Sequence, residues 1–191
     1  MMRALWWTSL VSLLAAAPLY GRECRGIVFP EHVSVHGTNL TLNGLGVRKA
    51  TILKINVYVA ALYVASPTHD SQVLLAGGPT QLVLQFVRSV SAKQMREAFT
   101  EGFEKGAKDR ASFGTLAPRV EMLNSWMSDI QSGQRMTFVR VPGTGISVEV
   151  NGALKGTIPG DDFARAFLSI WLGDAPPNPE LKAGLLGGSC D

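Results

Sequence analysis

The chain has 191 residues, 46% of them hydrophobic and 17% charged, and a formal net charge of +3. That composition is of a chain with a core to bury, and it excludes intrinsic disorder. The small positive excess is scattered, with no Lys/Arg run of the kind a phosphate-tracking surface needs, so no nucleic-acid partner is expected.

Met1, Met2 and Arg3 make a short cationic start, and Ala4 to Leu19 carries no charge and is nearly all apolar. Small residues then lead to Gly21, ahead of Arg22 and Glu23. This is the layout of a secretory signal peptide, predicted over residues 1–21 with cleavage near Gly21. The apolar run, about 16 residues, is shorter than the ~20 of a spanning helix, and no later segment approaches it. A retained N-terminal anchor is the alternative. A lipid anchor on Cys24 is disfavoured, because Arg22 and Glu23 stand where a lipoprotein signal has small residues. The export signal places the protein across the inner membrane, in a periplasm-like space, with residues 22–191 as one domain and no transmembrane segment. Cys24 and Cys190 are the two cysteines. An oxidising compartment allows them a terminus-to-terminus disulfide; two unpaired tail thiols are the alternative.

Residues 27–47 read as short strands broken by Pro30, Gly37 and an Asn43-Gly44 turn. A β-rich run over 48–65 follows, with Lys54, Asn56 and Tyr58 on the face opposite Leu53, Ile55 and Val57. A short helix is predicted at Ser71–Ala76 and a strand at Gln81–Val90, its Leu82, Leu84 and Phe86 on one face. Two amphipathic helices come next. Over 92–107 the apolar set is Met95, Ala98, Phe99 and Phe103; over 117–131 it is Val120, Leu123, Trp126, Met127 and Ile130. Strands return at Met136–Val141 and Ile146–Val150, and Asn151-Gly152 turns the chain into a hairpin with 153–158. A helix starting at Pro159-Gly160-Asp161-Asp162 buries Phe163, Phe167, Ile170 and Trp171. After Pro176, Pro177 and Pro179 a last short helix ends at Gly187-Gly188. The class is α+β, a large antiparallel sheet packed against a layer of helices. Strands and helices do not alternate singly, which argues against a doubly wound nucleotide-binding fold.

Few residues stand out chemically. Gly44-Leu45-Gly46 is followed by a β-run, so no helix N-terminus is there to receive a phosphate, and a turn explains it better. His32 and His36 share a strand face without a third ligand, since Glu31 points away; no metal is expected. Asn39-Leu40-Thr41 is a glycosylation sequon that matters only in a eukaryotic host. Arg48 is different. A guanidinium at the edge of a large apolar layer can grip a carboxylate or phenolate with two prongs while the apolar wall takes the rest of the ligand.

Several stretches together carry a resemblance: Gly44-Leu45-Gly46-Val47-Arg48, Lys54 to Tyr63, Phe86 to Ser91, Asn151-Gly152, and Gly156 to Phe163. It continues through Ile170-Trp171-Leu172-Gly173 to Leu185-Leu186-Gly187. In order and spacing they resemble the chalcone-isomerase-like family in its bacterial exported form. The resemblance implies an open-faced β-sandwich with a ligand cleft between sheet and helices. It also implies two activities: ring closure of a chalcone by the true isomerases, and fatty-acid carriage by plant plastid relatives whose cleft Arg faces the carboxylate. Arg48 matches that Arg. The Thr that true isomerases place five residues before the matching Tyr58 is Leu53 here, which cannot donate a hydrogen bond to a ketone. Their catalytic Tyr and Asn, seven apart on the first long helix, align with Lys93 and Thr100. A non-catalytic binder of a fatty acid or similar amphipathic carboxylate follows, without cofactor, using Arg48, Leu53, Tyr58, Lys93 and Thr100. An isomerase (intramolecular lyase) with Lys93 as a replacement acid or base is the first alternative. A structural or partner-binding envelope protein, its cleft filled by Phe99, Phe103 and Trp126, is the second.

Overall fold

The structure is a computed structural model that describes residues 21–51, 53–107 and 110–190. The export signal expected over 1–21 therefore lies, but for Gly21, outside the described residues. Seven antiparallel strands form the main sheet in chain order: β3 (His32–Val35), β4 (Thr38–Ala50), β5 (Ile55–Val64), β6 (Thr80–Phe86), β7 (Arg135–Val141), β8 (Gly145–Val150) and β9 (Ala153–Pro159). A separate hairpin precedes them, β1 (Gly21–Cys24) paired with β2 (Ile27–Pro30). Every neighbouring pair in the sheet is consecutive in the chain, so short connections suffice and no crossover is needed.

Period-two alternation divides the sheet into two apolar faces. One carries Tyr58, Ala60, Leu62, Leu82, Leu84, Phe86, Met136, Phe138, Ile146 and Val148. Against it pack α1 (Ser71–Ala76), α2 (Ala92–Gly106), α3 (Arg110–Ser125) and α4 (Asp161–Leu172), which contribute Leu74, Phe99, Phe103, Val120, Leu123, Phe163 and Phe167. The other face carries Leu40, Leu42, Leu45, Val47, Val59, Ala61, Tyr63 and Val83, and is covered by Cys24 and Phe29 of the β1–β2 hairpin. Cys24 is bonded to Cys190, with Cα atoms 5.9 Å apart. The bridge fastens the hairpin to the C-terminal segment that follows α5 (Pro179–Leu185).

The α+β architecture is as expected, and three local expectations are corrected. The chain does not turn at Asn43-Gly44. β4 runs straight through to Ala50 with a register shift between Leu42 and Gly44. Buried Asn43 accommodates the shift with its side chain: Nδ2 donates to the Leu185 carbonyl at 2.8 Å, and Oδ1 accepts from the Thr68 N–H at 2.8 Å. The turn falls later, at Thr51, Leu53 and Lys54, where Thr51 (φ 62°) and Lys54 (φ 49°) take left-handed backbone. Leu53 and Lys54 are thus turn residues and do not alternate with Asn56 and Tyr58. The third correction concerns α3, which begins seven residues before the expected start and holds Pro118 in its interior. Pro118 can give no N–H to the Gly114 carbonyl, a defect the helix tolerates.

Gly44 and Gly46 have a packing role. A Cβ on Gly46 would meet the Leu181 carbonyl oxygen at 2.5 Å, and one on Gly44 would strike the Gly184 carbonyl oxygen. The two glycines leave a notch on the helix-facing side of β4, and α5 seats its backbone in it. Neither the phosphate loop nor the turn explains them. His32 is on β3 with Nδ1 3.3 Å from Thr41 Oγ1, whereas His36 is in the following turn with φ 47°. They do not share a strand face. Asn39 is exposed on β4, opposite Ser34.

Candidate functional site

Cross-strand register places Arg48 of β4 opposite Tyr58 of β5, and Tyr58 opposite Phe86 of β6. On the helix side this row meets α2 and the end of α4, and a cavity of about 140 Å³ opens there. Its floor is made of Tyr58, Leu84, Met95, Phe99 and Trp171, all less than a tenth exposed. Arg48, Glu101, Lys105, Ala175 and Pro177 surround the entrance. Gly102 forms part of the wall: a Cβ there would come within 2.8 Å of Ile170 Cγ2, so the glycine permits α2 and α4 to approach.

Each polar group is positioned by an identifiable neighbour. The α5 notch brings Asn178 beside the end of β4, where its Oδ1 accepts from Arg48 Nη1 at 3.0 Å and from the Lys49 N–H at 2.9 Å. Arg48 Nη1 also donates to the Lys49 carbonyl and lies 3.5 Å from the Pro177 carbonyl oxygen. All these contacts use Nη1. Among the described residues, Nε and Nη2 of this half-buried guanidinium have no protein acceptor, which leaves one prong for an outside anion. Tyr58 Oη accepts from Trp171 Nε1 at 2.9 Å, which leaves its own proton without an acceptor among the described residues. Burial raises the Tyr58 pKa above the ordinary value of 10.0, opposed by the Trp171 hydrogen bond and by the charge of Arg48. The phenol is therefore a neutral donor at physiological pH. At the entrance Glu101 pairs with Lys105 at 2.5 Å. That hydrogen bond, then the charge of Lys105, holds the Glu101 carboxyl below its ordinary value, with a smaller contribution from Arg48.

Of the residues expected at the site, Arg48 and Tyr58 line the cavity and the other three do not. Leu53 is 80% exposed in the β4–β5 turn, where the shift of the turn has carried it. Lys93 points to solvent on the first turn of α2, 3.8 Å from Glu97. Thr100 accepts from Asn124 Nδ2 of α3 at 3.1 Å, an α2–α3 contact away from the cavity. Two α2 pairs seven residues apart do line the cavity: Met95 with Gly102, neither of which can transfer a proton, and Ala98 with Lys105, whose ammonium stands at the entrance paired with Glu101. Phe99 and Phe103 are buried as anticipated, Phe99 in the cavity lining and Phe103 outside it. Phe99 packs on Phe138, Phe167 and Trp171 with ring centroids 5.9, 5.9 and 6.3 Å away, and Phe103 packs on Phe163 at 5.1 Å. Trp126 is elsewhere, against Gly156 of β9. Sequence reasoning missed Asn178, whose only sign was its place in the Pro-rich approach to α5, and saw Trp171 only as a core residue. Among the described residues, no three metal-ligating side chains come together, and no helix is long and apolar enough to cross a membrane.

A curled antiparallel sheet with helices over one face and a cavity between them is the architecture of chalcone isomerase-like proteins. The sequence profile of that family, described as chalcone isomerase-like, matches residues 21–187, and the chain belongs to it. The structure is similar to the crystal structure of a fatty-acid binding protein of Arabidopsis thaliana, with a TM-score of 0.69 and 19% identity over 84% of this chain and 92% of that one. No curated protein matches the sequence.

Proposed function

We propose that this protein is a non-catalytic binder of an amphipathic carboxylate, a fatty acid or an acid like it. The observation that carries the reading is that Arg48 and Tyr58, opposite each other across the strands, both line a cavity whose floor is otherwise apolar. A guanidinium with a free prong and a neutral phenol can both donate to a carboxylate, and the apolar floor receives the hydrocarbon. Binding rather than turnover is favoured by the side chains that face the bound molecule from α2. At the floor Met95, Ala98, Phe99 and Gly102 offer no acid or base, Glu101 and Lys105 are paired with each other at the entrance, and Lys93 lies outside. The Arabidopsis neighbour is named for fatty-acid binding, which agrees in kind. With the export signal expected over 1–21, the binder would act in a periplasm-like space, where a site that needs no cofactor is at no disadvantage.

The test is native mass spectrometry of wild type and Arg48→Ala, each purified from its own host. A monocarboxylic acid is expected to accompany the wild type and to be absent from the variant. If neither carries an acid and neither takes up added octanoate, the proposal fails.

A further inference from the structure

Resting on that reading of the cavity as a carboxylate site, we infer that the ligand is a short acid. Its hydrocarbon is no larger than one aromatic ring or a chain of about eight carbons, and Phe99 with Trp171 sets the limit.

The volume is the first ground. At about 140 Å³ the cavity is close to the engineered apolar cavity of about 150 Å³, lined by Leu, Ile and Phe, that takes up benzene. Pockets that enclose larger ligands run from about 300 Å³ upwards. The second ground is what lies beyond the floor. Phe99 and Trp171 are 4% and 2% exposed, and behind them Phe138, Phe163 and Phe167 form a continuous aromatic layer with no side chain that solvent could replace. The Trp171 indole is further held by its hydrogen bond to Tyr58. A longer chain can enter only by displacing Phe99 or Trp171, each wedged against three other rings, and close-packed interiors resist that. The entrance gives the opposite boundary. Glu101 and Lys105 are exposed there, so carbons beyond the floor's reach would lie among charges and gain little.

The experiment is a calorimetric titration of straight-chain acids from butanoate to hexadecanoate, with benzoate and 3-phenylpropanoate alongside. It uses wild type, Arg48→Ala, and Phe99→Leu as the variant that shortens the floor. Affinity of the wild type is expected to rise about fourfold per methylene, stop rising by about eight carbons, and fall or stay level thereafter. The two aryl acids are expected to bind as well as the best chain. In Phe99→Leu the optimum moves to longer chains, and Met95→Ala, at the same floor, serves if Phe99→Leu does not fold. A wild-type affinity that keeps rising to hexadecanoate overturns the size limit and leaves carboxylate binding standing. An optimum unchanged in a folded floor variant overturns the assignment to this floor. If no acid binds, or Arg48→Ala binds all of them as the wild type does, the carboxylate site itself fails, and the size limit with it.

Discussion

The Tyr58–Trp171 hydrogen bond joins sheet to helix at the cavity floor, and a double-mutant cycle across it gives a definite expectation. The donor and acceptor are 2.9 Å apart, and the residues are 9% and 2% exposed. Tyr58→Phe leaves the indole N–H buried with no acceptor, a desolvation cost of about 1–3 kcal/mol. Trp171→Phe removes the donor and part of the ring volume, adding a cavity term to a similar polar loss. In the double variant neither polar group remains, so the penalty for a stranded partner disappears. The two single costs are therefore expected to exceed the double by about 1–2 kcal/mol. The assay is urea unfolding followed by far-UV circular dichroism, accepted only where the slope with denaturant is unchanged. Single costs that add to within about 0.5 kcal/mol would show that the two residues do not interact and would refute the reasoning.

Gly46→Ala puts a Cβ into the α5 backbone and is expected to cost about 1–3 kcal/mol while weakening acid binding through Asn178. Gly114→Ala, with nothing within 4 Å of its Cβ, is the control and is expected to stabilise by up to about 1 kcal/mol; equal effects on thermal unfolding would contradict the notch. The Cys24–Cys190 bridge spans 166 residues of sequence, and its replacement by serines is expected to lower stability by about 2–4 kcal/mol in denaturant unfolding, whereas a loss below about 0.5 kcal/mol would contradict its role. Asp162 bonds Arg119 at 2.6 and 2.8 Å, and this holds its carboxyl at about 2, below the ordinary 3.8. A depressed carboxylate stabilises above its unfolded value and ceases to as pH falls through its folded one. The stability gap between wild type and Asp162→Asn should therefore be whole above about pH 4 and close by about pH 2. With the side chain 63% exposed, solvent screening keeps the gap under about 1 kcal/mol. A gap that survives at pH 2 would contradict the assignment.

Much of the fold could be read from the sequence because its strands are amphipathic and its turns local. Leu82, Leu84 and Phe86 alternate onto the helix-facing core, the Asn151-Gly152 turn joins β8 to β9, and Phe163 to Trp171 mark the buried stripe of α4. What misled were residues whose local signal and tertiary use differ. Asn43-Gly44 is written like a turn, yet the glycine is there for α5, a partner about 140 residues away in sequence. The helix expected over 117–131 instead starts at Arg110 and carries Pro118 in its interior. The site was half legible. Arg48 and Tyr58 follow from strand register, whereas the α2 residues that face the cavity depend on how the helix is rotated about its axis. A shift of two residues exchanges Lys93 and Thr100 for Met95 and Gly102. Arg140 gave no signal at all. It is 3% exposed on β7, with Nη1 against the Leu74 and Leu75 carbonyls at 3.3 and 3.5 Å, a buried cation capping the end of a short helix.

The anchoring of a carboxylate by Arg48 is tested most directly by titrating octanoate into wild type, Arg48→Ala and Arg48→Lys under one set of conditions. Charge-assisted hydrogen bonds to a guanidinium are worth about 1.5–3 kcal/mol, so Arg48→Ala is expected to bind about 10- to 150-fold more weakly. Arg48→Lys is expected to fall between, because a point charge cannot reproduce the planar fork. Equal affinity in all three proteins would contradict a carboxylate held by Arg48.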